Sequence, residues 1–316
     1  MRQALAPSAI APVSFRLFSR DFAAFAQDLG ASFARYGFAV ISDHGLDQRR
    51  IDAAIEGAKA FFALPDDVKR RYQIEGVFGQ RGYTPFGVET AKGAAYFDLK
   101  EFWHVGRELP AGHPNRARMP DNVWPTEIPG FREDESWLYR SLEDLGDKVL
   151  STIAAYLKLD PAFFVPTTAN GNSVLRLLHY PPAPFDGPNI RAAAHEDINT
   201  ITLLLGAEEA GLQVKDRDGA WLPINPPPGS VVCNIGDMLA RLTNDVLPST
   251  THRVVNPPPE RRGVARYSTP FFLHFAPDYL IQTLPGCITA GRPNRYPIPI
   301  TANDYLEERL REIKLK

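Results

Sequence analysis

Residues 195–205 read HEDINTITLLL. Polar side chains open the stretch, and a short β-branched apolar run, 201–205, closes it as a predicted strand. His195 and Asp197 stand two apart, so in extended backbone both point to one face. The same texture continues downstream. Residues 212–215 and 221–224 flank Asp218-Gly219, a strong hairpin signal, and 230–234, 252–256 and 267–275 are further apolar runs. Upstream, 174–179 is another. Many short strands joined by proline- and glycine-rich connections argue for a sandwich or barrel.

Before residue 172 the pattern is mostly helical. Ser19 is placed to cap a helix carrying Phe22, Phe25, Leu29 and Phe33 on one face. The run GFAVIS, 37–42, predicts a strand. Asp47 starts a second helix with Ile51, Ile55, Ala58 and Phe62 at helical spacing; Pro65 breaks it and opens a short charged turn, 66–72. Residues 76–109 are rich in glycine and aromatics without a sustained period, which predicts a long functional loop over the mouth of the β core. Leu138, Leu142, Leu145, Val149, Ile153 and Tyr156 mark one long amphipathic helix. A charged helix is expected over 302–315. The expected fold is therefore mainly β with flanking helices.

The chain has 316 residues, 44% of them hydrophobic, and a formal net charge of −2. That balance suits a sizeable core and gives no reason to expect a nucleic-acid or anionic-membrane partner. Cys233 and Cys287 make no disulfide framework, and Cys233 sits in an apolar run as a core thiol. Pro7 and Pro12 interrupt the N-terminus, leaving no signal peptide or spanning segment, so a cytoplasmic location is expected. Oligomeric state is not legible.

A third side chain joins the polar pair. His252 opens the apolar run HRVVN after a Ser-Thr-Thr turn. Two imidazoles and a carboxylate on one face leave adjacent coordination positions open, the facial arrangement of non-haem iron(II) oxygenases. Alone, His-x-Asp reads equally as a polar pair at a strand end. Neither a helical H-E-x-x-H zinc pattern nor a cysteine zinc site is present. Arg266 and Ser268 alternate onto one face of the last aromatic strand. An arginine fork with a neighbouring hydroxyl can grip a dicarboxylate at its far end, or pair with a protein carboxylate.

With these residues in place, the chain resembles the isopenicillin N synthase-like branch of the 2-oxoglutarate and iron(II)-dependent dioxygenases. The resemblance covers most of the chain. It rests on HEDINTITLLL, GLQVKDRDGAWLPI, GSVVCNIGDMLARLTND, STTHRVVNP and RYSTPFF in the family's order, and on GFAVISDHGLD, AFFALPDDVK, GYTPFG and DLKEFWHVG before them. It implies a double-stranded β-helix, or jelly roll, core. Residues 1–120 would be a helical and irregular N-terminal region packed on that core. Residues 121–316 would hold the long helix, the Fe(II)/2-oxoglutarate dioxygenase core and the C-terminal helix.

The resemblance implies His195, Asp197 and His252 as iron ligands, and Arg266 and Ser268 as the anchor of 2-oxoglutarate, with Tyr180 adding a hydrogen bond. It implies an enzyme consuming dioxygen and 2-oxoglutarate, releasing succinate and CO2, and oxidising a small organic substrate, with ascorbate as an in vitro reductant. Hydroxylation is the expected outcome; desaturation and ring closure are variants. Leu178 stands where many plant members carry asparagine, and PPPERR lengthens the turn before Arg266. Some relatives keep Arg-x-Ser without using 2-oxoglutarate, so a 2-oxoglutarate-independent iron oxidase is the alternative, and a non-catalytic jelly-roll binding protein a further one. Tyr83, Phe86, Trp103, His104 and Arg191 are the candidate substrate contacts; each also reads as ordinary packing. His179 and His274 read as core or rim histidines. Asp98, Lys100 and Glu101 are expected to form one charge network.

Overall fold

Two sheets face each other across an apolar interior, and helices cover the outer face of the larger one. The structure is a computed structural model that describes residues 8–76, 79–88, 98–182, 190–205 and 211–312. In chain order, β1 (Pro12–Ser14) and the short α1 (Leu17–Arg20) precede α2 (Phe22–Tyr36), β2 (Phe38–Ser42), α3 (Gln48–Phe62) and α4 (Asp66–Arg70). Then come β3 (Gly82–Thr84), β4 (Glu101–Gly106), the 26-residue α5 (Phe131–Tyr156) and α6 (Val165–Thr168). The β-rich half runs β5 (Val174–Tyr180), β6 (Ala192–His195), β7 (Ile201–Leu205), β8 (Leu212–Lys215), β9 (Trp221–Pro223) and β10 (Val231–Ile235). It ends with α7 (Asp237–Leu242), β11 (His252–Val254), β12 (Arg266–Leu273), β13 (Leu280–Ile281), β14 (Ile300–Thr301) and α8 (Ala302–Glu312).

The large sheet has the order β1-β2-β10-β7-β12-β5-β4-β3, and the small one β6-β11-β8-β9. This is the expected jelly roll with flanking helices. Period-two alternation sorts the large sheet's side chains between two cores. Ala39, Ile41, Trp103, Val105, Leu175, Leu177, Leu203, Cys233 and Phe271 face outward, against the buried stripes of α2, α3 and α5. Phe38, Val40, Phe102, Leu178, Tyr180 and Val232 face inward, toward Ala192, Leu212, Val214 and Val254 of the small sheet. The interior between the sheets is where functional side chains can be held by two walls at once.

Local chemistry sets the helix ends. Asp47 caps α3 by accepting from the Arg49 amide at 3.0 Å, as expected. The cap of α2 is Asp21, which accepts from Ala24 N at 3.0 Å; Ser19 lies instead inside α1. Gly37 ends α2 with φ +68, a left-handed conformation that glycine adopts without Cβ strain, and turns the chain directly into β2.

The larger departure concerns residues 76–109. They are not one irregular loop: β4 pairs with both β3 and β5 and is buried along its whole length. A strand buried on both faces has no polar-apolar alternation to betray it. Strands β1 to β4, all within the first 120 residues, are hydrogen-bonded into the large sheet. Residues 89–97, from the same stretch, lie outside the described residues. No described helix is long and apolar enough to cross a membrane.

Candidate active site

His195 closes β6 and His252 opens β11, and the two strands pair with these residues opposite one another. Asp197 follows in the turn before β7. Ligand-capable atoms of the three side chains all lie within 4.8 Å of one another, the only such His/Cys/Asp/Glu group among the described residues. The Nε2 atoms of His195 and His252 each stand 3.8 Å from Asp197 Oδ1.

Hydrogen bonds aim each donor. His195 Nδ1 is 2.7 Å from the Ala193 carbonyl and His252 Nδ1 is 3.1 Å from the Thr250 carbonyl. A carbonyl can only accept, so Nδ1 carries a proton in both rings and both Nε2 atoms are turned to the centre. Asp197 Oδ2 accepts from Thr202 Oγ1 at 2.6 Å and Asn234 Nδ2 at 2.8 Å, leaving Oδ1 for the centre. Asn199 donates in turn to Thr202 Oγ1 at 3.0 Å. These partners behind the ligands are of the kind that orients metal-binding groups. Backbone bonds hold the turn itself, from Asp237 N to the Asp197 carbonyl (2.7 Å) and from Met238 N to that of Asn199 (3.1 Å).

The electrostatics match. Burial, reinforced by neighbouring His252, pushes the His195 imidazole down to about 4, so it is neutral at physiological pH. Burial alone would raise Asp197, but His252, His195 and the two hydrogen bonds outweigh it and hold the carboxyl below its ordinary range. Two imidazoles whose Nε2 atoms converge beside a carboxylate held below its ordinary range form a donor set that fits a divalent first-row ion.

A second cluster occupies the same interior. Arg266 and Tyr180 are register partners on β12 and β5; the guanidinium carbon lies 5.1 Å from the Tyr180 ring centre and Nη1 donates to Ser268 Oγ at 3.0 Å. All three side chains are buried. The Arg-x-Ser pair and Tyr180 are therefore side by side inside the barrel.

The substrate candidates divide. His104 faces inward: Arg176 Nε donates to its Nε2 at 2.6 Å, and its Nδ1 lies 2.5 Å from the Gly79 carbonyl. Trp103 faces the opposite way, fully buried in the helical layer against Phe61, Tyr72 and Phe131. Tyr83 is buried in that layer too and donates to Glu101. Phe86 is 43% exposed. Arg191 is wholly buried, its Nη2 donating to the Val264 carbonyl at 3.0 Å, so it has no surface from which to steer a ligand. His179 also points outward, stacked between Phe62 and Tyr267 and bonded to Glu101 at 2.7 Å.

Among the described residues the expected single charge network divides into two groups, on opposite sides of the large sheet. Glu101 joins Lys69, Tyr83 and His179 outside. Lys100 pairs with Asp98 at 2.8 Å inside, where Asp98 also accepts from Ala193 N on β6. The sequence reading missed Thr202, Asn199, Asn234 and Arg176. Their signal was available: Thr202, Asn234 and Arg176 are polar residues inside strands that are otherwise apolar.

The chain is similar to known proteins over most of its length. The family described as the 2OG-Fe(II) oxygenase superfamily matches residues 171–275, and the N-terminal family described for a non-haem dioxygenase in morphine synthesis matches residues 12–127. A 2-oxoglutarate-Fe(II) type oxidoreductase of Emericella nidulans, hxnY, is 36% identical over 281 residues, covering 85% of this chain and 79% of that protein. A crystal structure of a Caulobacter crescentus protein ascribed to the 2OG-Fe(II) oxygenase family is 69% identical, with TM-score 0.91, covering 97% of this chain and 100% of that one. A Neurospora crassa protein solved with alpha-KG is 28% identical, with TM-score 0.85 over 96% of this chain and 95% of that one; it has also been solved with alpha-KG and thymine.

Proposed function

This chain belongs to the 2OG-Fe(II) oxygenase superfamily, as an Fe(II)- and 2-oxoglutarate-dependent dioxygenase, and from that premise we propose the following division of labour among its residues. His195, Asp197 and His252 hold the iron. Arg266 and Ser268, with Tyr180 beside them, bind the distal carboxylate of 2-oxoglutarate. The reaction is hydroxylation of a small organic molecule with release of succinate and CO2. The observation that carries this reading is the convergence of one ligand atom from each of His195, Asp197 and His252 within 4.8 Å, with Arg266 and Ser268 buried in the same interior.

When bound, iron(II) supplies the activation of dioxygen that couples decarboxylation of 2-oxoglutarate to oxidation of the substrate. The residues do the rest. Nδ1–H bonds to backbone carbonyls keep the two imidazoles in the tautomer whose Nε2 can coordinate. Thr202 and Asn234 occupy Asp197 Oδ2 and so restrict binding to Oδ1. The Arg266 fork, held by Ser268, presents a charged donor pair in a site shielded from water, where such bonds are strongest.

The test is anaerobic. Metal-free protein is loaded with iron(II) and titrated with 2-oxoglutarate while the visible spectrum is recorded. A weak charge-transfer band should saturate, and in Arg266→Ala it should need roughly 10–100-fold more 2-oxoglutarate, since hydrogen bonds to charged groups contribute about 1.5–3 kcal/mol. No band despite bound iron would overturn the anchor assignment; no iron binding would overturn the triad.

A further inference from the structure

β6 carries His195 and lies at the edge of the small sheet, with β11 as its strand partner. Two residue pairs fix that ladder, His195 with His252 and Ala192 with Val254, and the register shifts between them. Ala193 and Ala194 therefore stand against Arg253 alone. An extra residue on one strand is a β-bulge, a device that re-aims the side chain next to it. Here that side chain belongs to the triad. Register is decisive, because a slip of one residue turns a side chain to the opposite face of the sheet. Straightening the bulge from the His195 end would carry the imidazole away from Asp197 and His252.

The bulge is held from outside the small sheet. Asp98 Oδ1 accepts from the Ala193 amide at 3.0 Å, and the Ala193 carbonyl accepts from His195 Nδ1 at 2.7 Å. Both backbone groups of this bulge residue are thus bonded to side chains. Asp98 fixes where Ala193 sits, and Ala193 fixes how the ring turns. Asp98 is 3% exposed, and its Oδ2 accepts from Lys100 Nζ at 2.8 Å, so its two oxygens engage different partners and hold one orientation. The start of the strand is pinned as well: Leu99 N donates to the Ile190 carbonyl at 3.2 Å and Arg191 N to Asn256 Oδ1 at 3.0 Å. Any movement of β6 is therefore concentrated at Ala193 and Ala194, where Asp98 acts.

We propose that Asp98 is a positioning residue for the metal centre: by bonding the bulge at Ala193 it sets the ring of His195 with Nε2 turned toward Asp197 and His252. The inference rests on the proposed reading in which the triad holds iron. Asp98 is not a ligand and acts through Ala193. Two roles of its carboxylate separate by chemistry. Accepting from an amide takes only an oxygen, which asparagine keeps; balancing Lys100 takes the charge, which asparagine lacks. Stability should follow the charge, and metal affinity should follow the oxygen.

The test compares Asp98→Asn with Asp98→Ala. Iron(II) affinity is measured anaerobically by competition with a metal-indicator chelator, and folding by far-UV circular dichroism and thermal melting. Both variants should melt below the wild type, since each removes the buried charge that faces Lys100. Asp98→Ala should lose about 10-fold in iron affinity, the lower end of the range for partners behind metal ligands, while Asp98→Asn stays within about two-fold of the wild type. Lys69→Met is the control. It breaks the buried Lys69–Glu101 pair, 2.9 Å apart in the helical layer on the other side of the sheet, and should cost stability alone. If Asp98→Asn does not fold, the double variant Asp98→Asn with Lys100→Met, which removes the unbalanced cation, takes its place with the same expectation. A second readout involves no metal. Heteronuclear NMR of the imidazole nitrogens in metal-free protein, assigned with His195→Gln, should show His195 protonated at Nδ1 in the wild type and in Asp98→Asn, and a mixture of tautomers in Asp98→Ala. Undiminished iron affinity in Asp98→Ala, an equal loss in Asp98→Asn, or an equal loss in Lys69→Met would overturn the inference. So would a wild-type His195 protonated at Nε2 alone. If wild-type protein binds no iron, the triad reading falls, and the imidazole spectra still decide whether Asp98 orients His195.

Discussion

Replacing Thr202 by valine, or Asn234 by leucine, should weaken metal binding without unfolding the protein. Both side chains are buried and donate to the same oxygen, Asp197 Oδ2, at 2.6 and 2.8 Å. Each replacement keeps approximate volume and removes one hydrogen bond to a buried charge. Such a bond contributes about 1.5–3 kcal/mol, and a factor of ten in affinity corresponds to about 1.4 kcal/mol. Each variant should therefore lose roughly 10–100-fold in affinity for iron(II), the range found for partners behind metal ligands. The loss has two parts: the carboxylate can rotate, and it holds a proton more readily. Thr200 supplies the control. It lies in the same turn and is buried, but its Oγ1 meets no hydrogen-bond partner among the described residues, so Thr200→Val should bind iron like the wild type. The assay is competition of the protein with a metal-indicator chelator under anaerobic conditions, with thermal melting to confirm folding. If both Thr202→Val and Asn234→Leu bind iron within two-fold of the wild type, Oδ2 is not being held for the metal's benefit and the reasoning fails.

Gly236→Ala should cost stability and metal affinity together. A Cβ there would stand 2.1 Å from the Asn199 carbonyl and 2.4 Å from Asn199 Oδ1, so the turn carrying Asp197 must move; overpacking of this kind costs about 1–3 kcal/mol, readable by denaturant melting beside an iron titration. Glu135, buried on α5 with neither carboxylate oxygen meeting a hydrogen-bond partner among the described residues, has its carboxyl raised well above the ordinary value by burial and then by Asp134. Its contribution is thus complete below the unfolded carboxyl's pKa and is lost as pH climbs toward the raised folded value. Glu135→Leu should therefore raise the melting temperature, and by more at pH 8 than at pH 5; an equal gain at both pH values would contradict the argument.

What was legible in the sequence follows from what is local. Alternation and hairpin chemistry marked the short strands of the β-rich half, and β7 and β8 fall on the residues expected, 201–205 and 212–215. His195 and Asp197 were readable as a pair because two positions on extended backbone share a face whatever the fold. Helix stripes were equally plain, although the α2 cap moved to Asp21, the nearer of two capable residues. Recognition of His252 and of Arg266 with Ser268 needed the family's ordered motifs as well.

Tertiary structure decided the rest. β4 carries polar and apolar residues on both faces, so only its pairing with β3 and β5 shows that Trp103 belongs to the helical core while Phe102 and His104 line the interior. The two oxygens of Asp197 are equivalent in the sequence; Thr202 from β7 and Asn234 from β10 make them different. Arg176 and His104 are far apart along the chain and meet because β5 pairs with β4. The sequence by itself determined which residue types were available and which neighbours shared a face, because both depend on backbone period alone. Which face was interior and which side chains met across strands were set by long-range pairing, which no local period encodes.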